Sequence, residues 1–166
     1  IPSTMPETMY SDIMHRLEGR GIRIVVDATK DLLLNVLQYK PFLIKPNNHE
    51  IGEIFGVELP TRESVVPYAK KLQERGAENV IISMAGEGAV FIASDGNVYM
   101  REAPKGTLVN GVGAGDSMVA GFIAGVITED DLLHAFRMGV SAGSASAFSE
   151  YLATKEEVMQ VLSQVE

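Results

Sequence analysis

Asn110-Gly111-Val112-Gly113-Ala114-Gly115-Asp116-Ser117 is the stretch on which the fold and the chemistry turn. Val119, Phe122, Ile123 and Val126 follow it at helical spacing, so a glycine-rich turn runs directly into a helix. Glycine gives the backbone freedom there and lets other groups approach the amides. The first amides of a helix lack internal acceptors and lie at the positive end of its dipole, which favours an anion. The same position stabilises the charged form of a carboxylate. Asp116 can therefore stay ionised beside a phosphate and accept a proton from an alcohol. Ala120, Gly121, Ala124 and Gly125 leave little side chain on the helix, so close helix packing is the competing explanation of the glycines. Two familiar phosphate motifs fail. A Walker loop ends in Gly-Lys-Ser/Thr, which does not occur, and a dinucleotide fingerprint begun at Gly111 requires glycine where Asp116 stands.

Outward from this segment the chain alternates helix and strand. Tyr10, Ile13, Met14 and Leu17 share a helical face that Gly19 and Gly21 end, and Ile22–Asp27 reads as a buried parallel strand. A short helix at Leu32–Leu37 and a strand at Phe42–Lys45 follow, the latter closed by Pro46. Asn47 caps a helix carrying Ile51, Ile54 and Phe55. The next helix starts at Thr61 or Ser64, the choice left open by Pro67, and runs to Arg75. Asn79–Met84 is a third buried strand. Val90–Ser94 and Val98–Arg101 flank Asp95-Gly96 as a hairpin, and three helices near 113–127, 131–148 and 154–164 finish the chain. Thr154 and Glu157 have capping-box spacing. Strands alternating with helices imply an α/β layered domain with a mainly parallel sheet.

Two further segments carry candidate chemistry. Ser83-Met84-Ala85-Gly86-Glu87-Gly88 follows the third strand, at the carboxyl end where parallel sheets bind ligands. It admits a nucleotide's phosphates or is simply a tight turn. In Lys45-Pro46-Asn47-Asn48-His49-Glu50, Asn47 and Glu50 have the spacing of a helix cap. Glu50 can also face hydrated Mg²⁺, because hard cations take oxygen ligands and keep waters. Both can hold together. His15, His49 and His134 have no ligand spacing and read as solvated or core residues.

Composition narrows the partners. The formal net charge of −8 opposes nucleic acid and anionic lipid, so any phosphate must be met by local amides and a few cations. The longest strongly apolar stretch, Met118–Ile127, falls far short of the roughly 20 residues that span a bilayer. The absence of cysteine excludes disulfides and thiolate metal sites and fits a reducing cytosol. Ile1-Pro2-Ser3, without an initiator Met, reads as the start of a fragment.

Taken in register, the three segments resemble the ribokinase-like (PfkB) carbohydrate kinases. Gly111–Gly125 is similar to the family's C-terminal signature, with Gly113–Asp116 as its Gly-Ala-Gly-Asp core. Asn47 and Glu50 match its Asn-x-x-Glu motif. Ser83–Gly88 resembles its Ser-x-Gly-x-x-Gly nucleotide loop, with Ala85 in place of the first glycine, and Gly139–Phe148 resembles its adenine-side helix. The resemblance implies a three-layer sandwich of which residues 1–166 form the C-terminal, nucleotide-binding and catalytic part, the N-terminal sugar-binding and lid part being absent. It implies ATP and Mg²⁺ as cofactors. Asp116 is then the base at the substrate, with the Gly113, Ala114 and Gly115 segment as anion hole. Ser83, Met84, Ala85, Gly86, Glu87, Gly88, Gly115, Lys45, Ala142 and Ser146 lie on ATP, and Glu50 and Asn47 hold the metal through water. Lys45 reads equally as a surface lysine. Pro2–Pro6, Ile44–Asn47 and Ala142–Ala145 are most similar to the fructose-1-phosphate kinases, with the tagatose-6-phosphate kinases second. The implied partners are a sugar phosphate and ATP, with no nucleic acid or membrane, and a homodimer of the full-length protein.

Overall fold

A computed structural model describes Pro6 and residues 8–165. The Pro2–Met5 portion of the similarity above lies outside them. Five strands run in the order β1-β2-β3-β4-β5, interleaved with helices, and this is the expected α/β class. The chain forms two compact units. One holds residues up to Ser83 with Val90–Val98, and the other holds Met84–Ala89 with the chain from Tyr99 onward.

In the first unit, α1 (Met9–Leu17) ends ahead of Gly19 and Gly21, both in the left-handed region. β1 (Val25–Val26) and β2 (Leu43–Ile44) are shorter than the runs expected from composition. Only Val25↔Leu43 and Val26↔Ile44 pair, in parallel; Ile22, expected in the strand, is 53% exposed. α2 (Lys30–Val36) continues into a tight 3₁₀ turn at Leu37–Tyr39. α3 (Asn48–Phe55) begins at the Asn47 cap and stops at Gly56.

α4 (Arg62–Glu74) starts at Thr61, whose hydroxyl accepts the Ser64 amide while the Ser64 side chain accepts the Thr61 amide. That reciprocal cap settles the choice between the two residues. Pro67 lies inside the helix, where its missing N–H leaves the Glu63 carbonyl without that helical donor. β3 (Asn79–Ser83) pairs in parallel with β2, and β4 (Ala89–Ile92) is buried along its whole length. Asn79 is buried but satisfied. Its amide donates to the Phe42 carbonyl (2.9 Å) and its Oδ1 accepts from Ser94 (2.9 Å). The turn before β5 (Val98–Arg101) is held by Asp95, which accepts from both nitrogens of Asn97, with Gly96 at φ +85°.

The second unit is dominated by α5 (Ala114–Glu129) against α6 (Leu132–Phe148), followed by α7 (Lys155–Leu162). The α5–α6 contact is built on backbone proximity. A methyl added at Gly121 would lie 2.5 Å from the Met138 carbonyl, and one at Gly125 would lie 2.5 Å from Ala135 Cα. From the α6 side, one at Gly139 would lie 2.9 Å from the Met118 carbonyl. The Thr154–Glu157 capping box forms as the spacing predicts. Among the described residues, no helix is long and apolar enough to cross a membrane.

Candidate active site

The turn into α5 separates two kinds of glycine. Gly121 and Gly125 are packing residues, as the competing explanation proposed. Gly111 has open space where a side chain would stand, and Gly113 caps the helix at φ +78°. An L-residue in that conformation costs about 1–2 kcal/mol, so Gly113 serves the turn rather than the helix contact. The Ala114 amide closes on the Gly111 carbonyl at 3.3 Å, and the Ser117 amide bonds the Gly113 carbonyl at 2.8 Å. Among the described residues, the amides of Gly115 and Asp116 meet no protein acceptor. Within the Gly113, Ala114 and Gly115 segment expected to face an anion, the Ala114 amide is engaged and the Gly115 amide is open, and the adjoining Asp116 amide is open as well. Asp116 is exposed in the first turn of α5.

Ala142 and Ser146 turn inward. Ala142 is 8% exposed and faces Gly121, while Ser146 donates to the Ser117 hydroxyl (2.9 Å) and accepts the Ala153 amide (3.1 Å). Their side chains are used inside the helix pair. Sequence reasoning passed over Asn110, whose Oδ1 accepts the Val112 amide (3.0 Å) and whose amide donates to the Glu150 carbonyl (3.1 Å). The readable signal was an Asn immediately before a glycine turn.

The segment after β3 is a 3₁₀ turn at Ala85–Glu87, closed by Met84 N–H to the Gly88 carbonyl (2.9 Å). Ala85 adopts φ +47°, which explains why glycine is the ordinary residue of this motif. Gly88, at φ +94°, lies against the Arg101 carbonyl and leaves no room for a side chain. Gly86 stands open, with Ala85 and Glu87 exposed beside it.

In the first unit the parallel pairing of β2 and β3 brings Ser83 to the Lys45–Glu50 segment. Ser83 N–H donates to the Pro46 carbonyl (3.2 Å), and an isolated parallel bridge joins Asn47 to Ser83. Asn47 Oδ1 accepts the Glu50 amide and Glu50 Oε2 accepts the Asn47 amide, each at 2.8 Å. The cap uses one carboxylate oxygen and leaves Glu50 Oε1 for another partner. No group of three acidic or histidine side chains that could hold a metal occurs among the described residues. One free carboxylate oxygen beside an asparagine is oxygen-donor chemistry of the kind a hydrated Mg²⁺ accepts through water.

Lys45 is not a surface lysine. It is 7% exposed, with Nζ 3.3 Å from Asp27 Oδ2, because it follows buried β2 beside the residue that follows β1. Asp27 is the second residue that sequence reasoning missed. The histidines behave as expected: His49 is exposed, and His15 and His134 each lie 3.5 Å from a neighbouring glutamate.

Residues 1–158 match the pfkB family carbohydrate kinase model. The chain belongs to the pfkB family. Among its pfkB relatives, the 1-phosphofructokinase of Bacillus subtilis is 50% identical over 165 residues, covering 99% of this chain and 54% of that protein. The D-tagatose-1-phosphate kinase of Bacillus licheniformis is 31% identical over 167 residues, covering 100% of this chain and 55% of that protein. Phosphofructokinase-2 from Escherichia coli, solved with substrates and products, superposes with TM-score 0.90 at 26% identity, over 99% of this chain and 54% of its own. Arabidopsis thaliana ribokinase complexed with ribose and ATP shares the fold, with TM-score 0.81 at 16% identity, over 95% and 53% of the two chains. The fold is thus ribokinase-like, and the chain spans about half the length of the pfkB proteins it matches.

Proposed function

We propose that this chain is the C-terminal, nucleotide-binding and catalytic part of an ATP-dependent kinase that converts fructose 1-phosphate to fructose 1,6-bisphosphate. The observation that carries the reading is the start of α5. Two helix amides without acceptors stand beside an exposed carboxylate, within a chain half-identical to a 1-phosphofructokinase. Asp116 takes the proton of the sugar's C6 hydroxyl as that oxygen forms a bond to the γ-phosphorus. The bond from phosphorus to the β–γ bridging oxygen breaks, and ADP leaves with its electron pair. The Gly115 and Asp116 amides, with that of Ala114 if its turn bond loosens, stabilise charge gathering on the transferred group. In phosphoryl transfer, positioning and electrostatics of this kind supply most of the rate.

Ser83, Met84, Ala85, Gly86, Glu87 and Gly88 form the loop assigned to the nucleotide phosphates, with Gly86 the open point of approach. Lys45, neutralised by Asp27, acts on ATP at most by holding the segment that carries Asn47 and Glu50. Those two residues would hold hydrated Mg²⁺, which when bound offsets the charge of the ATP phosphates. Ala142 and Ser146 shape the helix pair behind the loop. The enzyme belongs to the cytoplasm on this reading, and its full-length form is a homodimer.

A second acceptor is favoured by the relative named D-tagatose-1-phosphate kinase. Tagatose 1-phosphate differs from fructose 1-phosphate only in configuration at C4 and presents the same C6 hydroxyl. Tagatose 6-phosphate would instead be phosphorylated at C1. A coupled ADP-release assay on the polypeptide extended to the length of its relatives compares the three sugars. Preference for fructose 1-phosphate is expected. Preference for a tagatose phosphate corrects the acceptor, and turnover with none refutes the kinase reading. This chain by itself is expected to bind nucleotide without turning over sugar.

A further inference from the structure

The loop that presents the Gly115 and Asp116 amides is not self-supporting. Gly111 and Gly113 give it freedom, and a turn with two glycines in three residues has many conformations to lose on folding. Something must select the one in which Gly113 takes φ +78° and the two amides stay free of protein acceptors. The hydrogen bonds that reach the loop come from the end of α6 and the segment after it. Val109 and Asn110 both donate their backbone N–H to the Ala147 carbonyl, at 2.8 and 3.1 Å. The Asn110 side chain then works in two directions. Its amide group donates to the Glu150 carbonyl at 3.1 Å, and its Oδ1 accepts the Val112 N–H at 3.0 Å. On the far side of the turn, Ser117 accepts from Ser146, and Ser146 in turn accepts the Ala153 N–H. Leu152 completes the frame, its Cδ2 lying 2.8 Å from where a Gly113 side chain would begin.

We infer that Asn110 is a positioning residue for the phosphate cradle: its side chain fastens the glycine turn to the segment just after α6, so that the Gly115 and Asp116 amides are held open before any ligand arrives. The inference rests on the kinase reading for the identity of the ligand, but the fastening itself does not. Asn is suited to this position because one side chain supplies a donor and an acceptor at opposite edges. Alanine supplies neither. Aspartate supplies only acceptors, so it can keep the Val112 bond but sets a carboxylate oxygen against the Glu150 carbonyl. Ser146 fixes the other end of the same turn through a separate pair of bonds, which makes Ser146→Ala an independent perturbation of the same device.

The test uses the 166-residue chain, its Asn110→Ala, Asn110→Asp and Ser146→Ala variants, and two readouts. The first needs no ligand. Ser117 N–H is bonded to the Gly113 carbonyl, so its hydrogen exchange reports whether the turn keeps its shape. Exchange at least tenfold faster in Asn110→Ala is expected, with amides in the middle of α6 unchanged. Equal rates in variant and wild type overturn the inference whatever binds. The second readout is titration with ADP, and with adenosine as the phosphate-free control, followed at the Gly115 and Asp116 amide resonances. Asn110→Ala is expected to bind ADP at least tenfold more weakly while its affinity for adenosine is unchanged, with Asn110→Asp between it and wild type. A general loss of structure would weaken both ligands alike and would overturn the positioning role. If wild type shows no ADP response at those two amides, the nucleotide reading fails, and the exchange measurement still decides whether Asn110 sets the turn.

Discussion

Gly125→Ala separates packing from chemistry along the segment that decides the fold. An added methyl would lie 2.5 Å from Ala135 Cα and 3.1 Å from Ala135 Cβ. Carbon pairs settle at about 3.5–4.0 Å, so the two helices must part by roughly 1 Å. The obstacle is backbone, which cannot rotate away as the end of a long side chain can. Forcing a methyl into such a contact typically costs about 1–3 kcal/mol, occasionally more. Alanine returns up to about 1 kcal/mol through its better helix propensity. A backbone obstacle puts the cost in the upper half of that range, so with about 1 kcal/mol returned the net loss is about 1–2 kcal/mol. At roughly 2–4 °C per kcal/mol for a chain of this size, Tm should fall by about 2–8 °C. Thermal unfolding followed by circular dichroism reads this directly, and ADP titration of the folded variant should show wild-type affinity. An unchanged or raised Tm would mean that propensity outweighs the contact, and the packing role of Gly125 would be refuted. Weakened ADP binding at full stability would place this glycine with the cradle instead.

Other expectations are simpler to state. Asp116→Asn in the full-length enzyme should lower turnover by at least about a hundredfold, the lower range for loss of a general base, and near-normal turnover in the coupled assay would remove it from that role. Glu50→Gln keeps an acceptor for the Asn47 amide, so stability should hold while the Mg²⁺ requirement of turnover rises; an unchanged metal titration would leave only the cap. Ala85→Gly relieves an L-residue at φ +47° and should leave Tm unchanged or raised by no more than the equivalent of about 1 kcal/mol, whereas a clear fall would show that the turn has no strain to lose. Glu157 is held below its ordinary value of 4.5 by hydrogen bonds from the Thr154 backbone and then its hydroxyl. A lowered folded pKa gives stability that is present above the unfolded value and is lost as pH falls through the folded one. Glu157→Gln should therefore flatten the acid side of the urea-midpoint profile below about pH 4.5, and an unaltered profile would sink that assignment.

Much of the fold could be read from periodicity and punctuation. The α5, α6 and α7 helices and the Asp95-Gly96 turn were legible because each is set by a local pattern, namely apolar spacing, a cap or a turn pair. β1 and β2 were legible as strands but not in their extent, since an apolar run marks what is buried but not how far a neighbour pairs with it. The two-residue ladders are decided by where β2 enters and leaves, at Phe42 and Pro46. Lys45 shows the same limit at the level of one side chain. Its position at the end of a strand run was plain, while its burial against Asp27 depends on a residue eighteen positions away in sequence.

What the sequence determined by itself is local chemistry in order: a Gly-Ala-Gly-Asp turn opening a helix, an Asn-x-x-Glu cap, and a glycine-containing turn after a buried strand. These follow from dihedral freedom, helix-end amides and side-chain reach, all acting over a few residues. Only the tertiary structure decided which glycines serve the turn and which serve the helix contact. It also decided that Ala142 and Ser146 face inward, and that the segment after α6 meets the glycine turn through Asn110. Each of those is a distance between segments far apart along the chain, and such distances are fixed by packing rather than by sequence spacing.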